Sequence, residues 1–253
     1  MANLGYLQLT RECKQFCRFC SNPPSGVDLT ETEMKGLIED LVERGYDGVI
    51  LTGGEPTIAP LLLPAIQYAR QKNLHVRMIT NGQRVSNLAF LKELQNAGLN
   101  HLHLSFHSSR PEVHDFVTQT PGAWKAIVQA MENCRDLGIQ NDINTVINAY
   151  NSDHLHETVM WLGTNFPHIH HFVWNNMDPN MNRAERNPDV IPRLREFELS
   201  LHLAMTFLAS QGRSFRVERV PLCYMRGFEH CSTETRKIIK LKKTSIKIKT
   251  LIL

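Results

Sequence analysis

Residues 30–57 read TETEMKGLIEDLVERGYDGVILTGGEPT, and this stretch contains the unit from which the predicted fold is built. Its first half is predicted to be a helix that begins at Thr30, because Glu33 three residues later completes a capping-box pattern. The segment DGVILTG (47–53) is short and mostly apolar, which indicates a buried strand. The polar and glycine-rich TGGEPT occurs where that strand ends. The stretch therefore predicts a helix, a strand and a loop with a chemical role.

The same alternation of apolar runs and helical stretches repeats at least six times along the chain. A strand–helix rhythm with short connections predicts a parallel sheet with right-handed crossovers. We therefore predict an α/β fold, a partial (β/α)6 TIM-like barrel, with residues 1–212 as the core barrel and 213–253 as a C-terminal extension. The predicted strands are 5–10, 47–53, 75–81, 101–107, 142–148 and 170–176, with 214–222 as a candidate seventh, and the predicted helices are 30–44, 61–72, 88–98, 124–138, 154–165 and 191–212.

Polar motifs follow the predicted strands at the ends where a barrel of this kind performs chemistry. A cysteine-rich loop follows the first strand and TGGEPT follows the second, while TNG and SFHS end the third and fourth and INTVIN spans the fifth. Because the strands are parallel, these motifs are expected to meet at one rim of the barrel.

Composition limits the class of protein. The chain has 253 residues, of which 42% are hydrophobic, an ordinary content for a globular protein. No apolar run approaches the length of a membrane span, and MANLGYLQLT at the N-terminus lacks the pattern of a secretion signal. We therefore expect no membrane partner and a reducing, cytoplasmic location, in which clustered cysteines are metal ligands and not disulfides.

The formal net charge of +3 is unevenly distributed. The last 23 residues hold seven Lys or Arg and one Glu, so the other 230 residues carry 21 basic and 24 acidic side chains. A mildly acidic body has no basic face for a nucleic acid, which makes a nucleic-acid partner an unfavoured prediction. The basic tail is interpreted as a solvated end, and its alternating SIKIKTLIL (245–253) as an edge strand or a truncated end.

Three cysteines, Cys13, Cys17 and Cys20, lie in the ten residues RECKQFCRFC (11–20). Structural zinc usually takes four ligands, often in two closely spaced pairs, and no fourth ligand lies near this triplet in the sequence. A [4Fe–4S] cluster normally takes four thiolates, so three on one loop would leave one iron open to a small molecule. A non-catalytic zinc or iron–sulfur module stays an alternative.

The segment CKQFCRFC, with Phe19 as the aromatic residue before its last cysteine, resembles the C-x3-C-x-Φ-C signature of the radical S-adenosylmethionine (radical SAM) superfamily. The resemblance implies that S-adenosylmethionine chelates the open iron of a [4Fe–4S] cluster and is cleaved reductively to a 5′-deoxyadenosyl radical. That radical abstracts hydrogen from a small-molecule or peptide substrate, and an electron donor such as ferredoxin or flavodoxin is implied. A degenerate pseudoenzyme on the same barrel is a further alternative.

The resemblance also implies which residues bind the cofactor. GGEP at this position binds the methionine amino group in the family, and an adjacent carboxylate can accept hydrogen bonds from an ammonium group. His107 and Asn175 are candidates for contact with substrate, and His107 is also a candidate proton donor. The cofactor-binding residues that the resemblance implies are Phe19, Gly53, Gly54, Glu55, Pro56, Thr80, Asn81, Ser105, Asn144 and Val146.

The remaining cysteines lie outside the triplet. Cys134 falls within a predicted helix and is interpreted as a small buried hydrophobic residue. Cys223 and Cys231 follow the barrel, where related enzymes with peptide substrates hold auxiliary clusters. Two cysteines do not complete that pattern, so two ordinary thiols are the favoured interpretation and an auxiliary cluster the alternative.

Overall fold

A computed structural model describes residues 3–22, 28–180 and 183–235 of the chain. Within them, seven strands form one sheet in which every neighbouring pair is parallel and the spatial order equals the order along the chain. The strands are β1 (Leu4–Thr10), β2 (Gly48–Gly53), β3 (His75–Thr80), β4 (His101–Ser105), β5 (Gln140–Ile147), β6 (His171–Asn176) and β7 (Ser214–Glu218).

Helices connect most of the consecutive strands, as a parallel sheet requires. The capping box predicted for the first helix is present: the Thr30 hydroxyl accepts from the Glu33 N–H at 3.3 Å, and the Thr30 N–H donates to the Glu33 carboxylate at 2.8 Å. The helices are α1 (Glu31–Glu43), α2 (Leu62–Gln71), α3 (Leu88–Ala97), α4 (Pro111–Thr118), α5 (Ala123–Leu137), α6 (Leu155–Asn165), α7 (Arg183–Arg186) and α8 (Leu194–Ser210).

The predicted α/β fold with a partial TIM-like barrel is confirmed, and the candidate seventh strand is present as β7. This strand pairs with β6 along its whole length, from His171 with Ser214 to Asn175 with Glu218. The described strands β1 and β7 do not pair with each other, so the sheet is open. The division of the chain at residue 212 stays a prediction, although β7 on its C-terminal side belongs to the same sheet.

Several observed elements differ from the predicted ones, and two of these differences concern β4 and α4. The strand predicted for 101–107 ends at Ser105, because the Phe106 N–H turns to the carbonyls of Leu104 and Asn144. Helix α4 was not predicted at all, although Pro111 occupies its first turn and Glu112 follows, a combination typical of a helix start.

The two faces of the sheet have different chemistry. Side chains that point toward the helices are apolar and buried, such as Val49 and Leu51 of β2, which have no exposed surface. On the opposite, concave face the strands place mainly polar side chains around a cavity of about 620 Å³. The core therefore lies between sheet and helices, and the concave face is left for binding.

The predictions made for the basic tail and for SIKIKTLIL lie outside the described residues, which end at Thr235. Among the helices that the structure does describe, none combines the length and apolarity needed to cross a membrane.

Candidate active site

A second cavity, of about 290 Å³, lies at the C-terminal ends of the strands. It brings together residues from the cysteine loop after β1 and from the segments that end β2 to β5. Of the residues that the sequence singled out, it is lined by Cys13, Cys17, Phe19, Cys20, Gly54, Asn81, Ser105, His107, Asn144 and Val146. The prediction that these motifs meet at one rim therefore describes the observed arrangement.

Helix α4 holds the cysteine loop in place from outside. The Phe16 and Arg18 N–H groups donate to the carbonyls of Thr118 and Val117 at 3.3 and 2.9 Å. The Arg18 guanidinium also lies 4.3 Å from the centre of the Phe116 ring, a cation–π contact. The C-terminal end of α4 thus supplies acceptors for a loop that makes few backbone hydrogen bonds of its own.

The three cysteine sulfurs have only weak partners inside the loop. Cys13 Sγ accepts from the Gln15 N–H at 3.4 Å, and the Cys20 thiol donates to the Asn22 carbonyl at 3.5 Å. Burial raises the pKa of Cys13 and of Cys17, so both are protonated thiols without a metal. A coordinated thiol loses its proton, which reverses this preference. Three sulfurs on the wall of one cavity are a donor set that fits an iron–sulfur cluster with one iron left for another ligand.

The two glycines of GGEP allow the loop after β2 to pack on the cysteine loop. A Cβ on Gly54 would lie 2.1 Å from the carbonyl oxygen of Glu12 and 2.5 Å from that of Arg11. Gly53 has a φ of +132°, a conformation that side chains disfavour. Gly54 lines the cavity, whereas Gly53 does not.

Glu55 is buried, and its carboxylate does not line the cavity. One oxygen accepts from the Thr57 N–H at 3.1 Å and from the hydroxyls of Thr57 and Thr80, both at 2.7 Å. The other oxygen accepts from the Asn81 N–H at 2.8 Å. Burial raises the pKa of Glu55, and these hydrogen bonds oppose the rise.

Three of these hydrogen bonds end on Oε1 and one on Oε2, so Oε2 keeps one acceptor site. Acceptance from an ammonium group by this carboxylate stays a prediction. Pro56, which opens a short 3-10 turn, and Thr80 are buried beside Glu55 and likewise do not line the cavity.

Asn81 connects this buried group to the cysteines. Its side-chain Nδ2 donates to Cys13 Sγ at 3.9 Å, and its Oδ1 accepts from the Gln83 N–H at 3.0 Å. Because Glu55 binds the backbone of the same residue, the ends of β2 and β3 are tied together beside the cysteine loop.

His107 has a defined tautomer. Its Nδ1 accepts from the Val146 N–H at 3.3 Å, so the ring proton is on Nε2. Burial, with a smaller contribution from His114, holds the pKa of His107 well below its usual range. The ring also makes an edge contact with Phe19 at 4.7 Å between centroids. A neutral, fixed imidazole suits a hydrogen-bond donor better than a general acid.

Asn144 lines both cavities, which are therefore adjacent at this residue. Its Oδ1 accepts from Asn175 Nδ2 at 2.6 Å. Asn175 itself lines only the larger cavity on the concave face.

Gln15 and Arg183 are among the residues of the smaller cavity that sequence reasoning missed. The Arg183 N–H donates to the Cys20 carbonyl at 3.3 Å and its guanidinium to the Gln15 carbonyl at 3.5 Å. Gln15 lies inside the quoted cysteine segment and could have been included. Arg183 lies more than 160 residues further on in a segment without a motif, so no signal marked it.

A model of the Radical SAM superfamily matches residues 7–162, which is more than half of the chain. A PqqA peptide cyclase from Bradyrhizobium diazoefficiens is 29% identical over 157 residues, 60% of this chain and 41% of that protein. A probable GTP 3′,8-cyclase from Thermococcus kodakarensis is 33% identical over 130 residues, 50% of this chain and 41% of that protein. This chain thus spans less than half the length of either relative.

Solved structures have the same fold. Streptococcus suis SuiB bound to S-adenosylmethionine gives a TM-score of 0.70 at 14% identity, over 85% of this chain and 50% of that chain. SuiB bound to precursor peptide SuiA gives 0.68 at 13% identity, over 87% and 49%. With the family match spanning β1 to α6 and the cysteine motif at the rim of the barrel, this chain belongs to the radical SAM superfamily.

Proposed function

We propose that this chain is a radical SAM enzyme that holds a [4Fe–4S] cluster through Cys13, Cys17 and Cys20 and binds S-adenosylmethionine in the smaller cavity. The observation that supports this most directly is that all three cysteines line one cavity together with Gly54 and Asn81. When bound, the cluster supplies the electron that cleaves S-adenosylmethionine to methionine and a 5′-deoxyadenosyl radical, which abstracts hydrogen from the substrate.

The chain's own residues bind and orient in this proposal. Phe19 and Val146 offer apolar surface for the adenine. Ser105 and Asn144 offer polar groups at the ends of neighbouring strands, and His107 offers an Nε2–H donor. Gly53, Glu55, Pro56 and Thr80 do not line the cavity, and in this proposal they position the loop after β2 and the backbone of Asn81.

We favour a peptide substrate, which is supported by the similarity to PqqA peptide cyclase and by the peptide bound to SuiB. A small molecule is the second candidate, supported by the similarity to a probable GTP 3′,8-cyclase. A ferredoxin or flavodoxin would donate the electron. Because the proposed cluster requires free thiolates, we place the enzyme in the cytoplasm.

The test is to reconstitute the protein anaerobically with iron and sulfide, add dithionite and S-adenosylmethionine, and quantify 5′-deoxyadenosine. We expect about four irons per chain and measurable product. The variants Cys13→Ala, Cys17→Ala and Cys20→Ala should each lose cluster iron and all product, because each removes one thiolate ligand.

Cys134→Ala is the matched control, since Cys134 lies buried in α5, in the hydrophobic core and away from the cavity. It should retain both iron and product. A wild-type protein that holds one zinc and no iron, or product formation that survives loss of the three cysteines, would refute the proposal.

A further inference from the structure

Arg77 on β3 extends from the concave face into the larger cavity. Its Nε is buried without a hydrogen-bond partner. Within residues 3–22, 28–180 and 183–235, its guanidinium makes no hydrogen bond and no ion pair. A half-buried cation without a counter-charge is unfavourable, and an anionic ligand would offset that cost.

The acidic groups of this face are already engaged elsewhere. Asp142 is buried and accepts from His101 Nε2 at 2.8 Å, with His103 Nδ1 at 3.6 Å. Glu218 forms an ion pair with the second arginine of the cavity, Arg216, at 2.7 Å. Neither carboxylate therefore neutralises Arg77.

The histidines of the cavity do not change this balance. The pKa of His103 falls to about 3, chiefly because the ring is buried, and the charge of Arg77 acts in the same direction. Burial likewise lowers the pKa of His171. Both rings are neutral near pH 7 and add no positive charge, so of the two arginines that line this cavity only Arg77 lacks an ion-pair partner among the described residues.

We propose that the larger cavity binds an anionic oxygen group of the substrate, a carboxylate or a phosphate, and that Arg77 is the residue that fixes it. A guanidinium matches both groups because its N–H donors form paired hydrogen bonds with two oxygens. The cavity borders the smaller one at Asn144, so a substrate anchored at Arg77 would lie on the side of the sheet that faces the cofactor site. This inference rests on the proposed function only in identifying the ligand as the substrate.

The test is isothermal titration of the anaerobically reconstituted protein with three probes: glutarate, inorganic phosphate and the neutral pentanediamide. We expect the wild-type protein to bind at least one of the two anions and not the diamide. Arg77→Met should weaken the binding at least tenfold, and Arg77→Lys should weaken it less, because it keeps the charge and loses the paired geometry. Tighter binding of glutarate indicates a carboxylate, and tighter binding of phosphate indicates a phosphate.

Arg135→Gln is the matched control, because Arg135 is exposed at the end of α5 and lies outside the cavity. Its affinity for the anions should equal that of the wild type. Arg77→Met should also unfold at a temperature no lower than the wild type, since no hydrogen bond or ion pair among the described residues is lost. Anion binding that survives Arg77→Met, no anion binding by the wild type, or a lower unfolding temperature of Arg77→Met would overturn the inference.

The two proposals fail separately. Formation of 5′-deoxyadenosine without anion binding would leave the proposed function and remove this inference. Anion binding that depends on Arg77, in a protein that forms no 5′-deoxyadenosine, would leave the site and remove the radical chemistry.

Discussion

The Glu55 carboxylate links the ends of β2 and β3 through donors on Thr57, Thr80 and Asn81. A carboxylate suits this position because all of its neighbours are donors and it has only acceptors. Glu55 thereby places Asn81, which in turn contacts Cys13. Glu55 therefore affects the cavity through Asn81, without lining the cavity itself.

Replacing Glu55 by Gln tests this role. An amide would set its own N–H₂ against surrounding donors, so at least one buried donor loses its acceptor, at about 1–3 kcal/mol of unfolding free energy. We expect a weaker affinity for S-adenosylmethionine, because Asn81 shifts, while cluster iron is retained. Urea denaturation, equilibrium binding and iron analysis measure the three effects.

Glu93→Gln, at an exposed position on α3, is the control and should change none of these quantities. An unchanged affinity and stability in Glu55→Gln would contradict the positioning role.

At the scale of elements, the cysteine loop lies between the C-terminal end of α4 and the loop that follows β2. Backbone atoms make contacts on both sides of the loop. On the β2 side, the Gly54 N–H donates to the Thr10 carbonyl at 2.8 Å and the Glu55 N–H donates to the Glu12 carbonyl at 2.8 Å. These contacts between protein groups help to fix the shape of the cysteine loop, which lowers the ordering cost of metal binding.

Gly54→Ala tests the packing of these two loops. The added Cβ would lie 2.1 Å from the Glu12 carbonyl oxygen, so the cysteine loop must move. We expect less iron per chain after reconstitution although all three cysteines remain. The measurement is the iron-to-protein ratio together with the visible absorption of the cluster.

Gly36→Ala is its control, since a Cβ at this position of α1 meets no described atom within 4 Å. It should leave the iron content unchanged and raise the unfolding free energy by about 0.5–1 kcal/mol, the helix preference of Ala over Gly. Equal iron contents in Gly54→Ala and the wild type would show that the close approach has no role.

Helices and strands could be predicted where one hydrophobic periodicity or a capping pattern marks the segment. They were harder to predict where a segment is placed by its contacts with a distant one. The strands follow from their apolar runs, and α1 from its capping box. Helix α4 was missed because its eight residues include His114 and Asp115, and its value to the fold lies in carbonyls that serve a distant loop. Such a contact is not encoded in the local sequence.

At the scale of the molecule, stability depends on keeping buried histidines neutral. Burial lowers the pKa of both His103 and His114 to about 3, against the ordinary histidine value of 6.5. Below pH 6.5 the unfolded chain binds protons that the folded chain does not. The stabilisation is therefore complete above pH 6.5 and is lost as the pH falls toward 3.

Each of these histidines should lower the unfolding free energy by about 2 kcal/mol between pH 6.5 and pH 5, at about 1.36 kcal/mol per pH unit. His114→Asn removes one of these titrating rings, and its amide oxygen can accept from the backbone His107 N–H as Nδ1 does. We expect the slope of unfolding free energy against pH to be smaller in this variant by the contribution of about one proton. Urea denaturation over a pH series measures the slope. His202→Gln, at an exposed ring, should leave it unchanged, and an identical slope in His114→Asn would refute the assignment.

The residues of the candidate site were likewise predictable only in part. The parallel topology brings strand-end motifs to one rim, which is why Cys13, Asn81 and Asn144 could be predicted together. Arg77 and Arg183 could not, because an arginine in a strand or a loop has no pattern of its own. Only the packed structure shows that one lacks a partner and that the other lies against the cysteine loop.

The open sheet has a consequence for the shape of what can react. The larger cavity is bordered by Tyr6 on β1 and by Arg216 and Glu218 on β7, the two edge strands of the sheet. Among the described residues these strands do not pair with each other, and a single bridge joins Val217 of β7 to Ser232. A closed barrel admits a molecule only end-on, whereas an open sheet also admits one between its edge strands. A long polymer could therefore present an internal unit to the radical without a free end to thread.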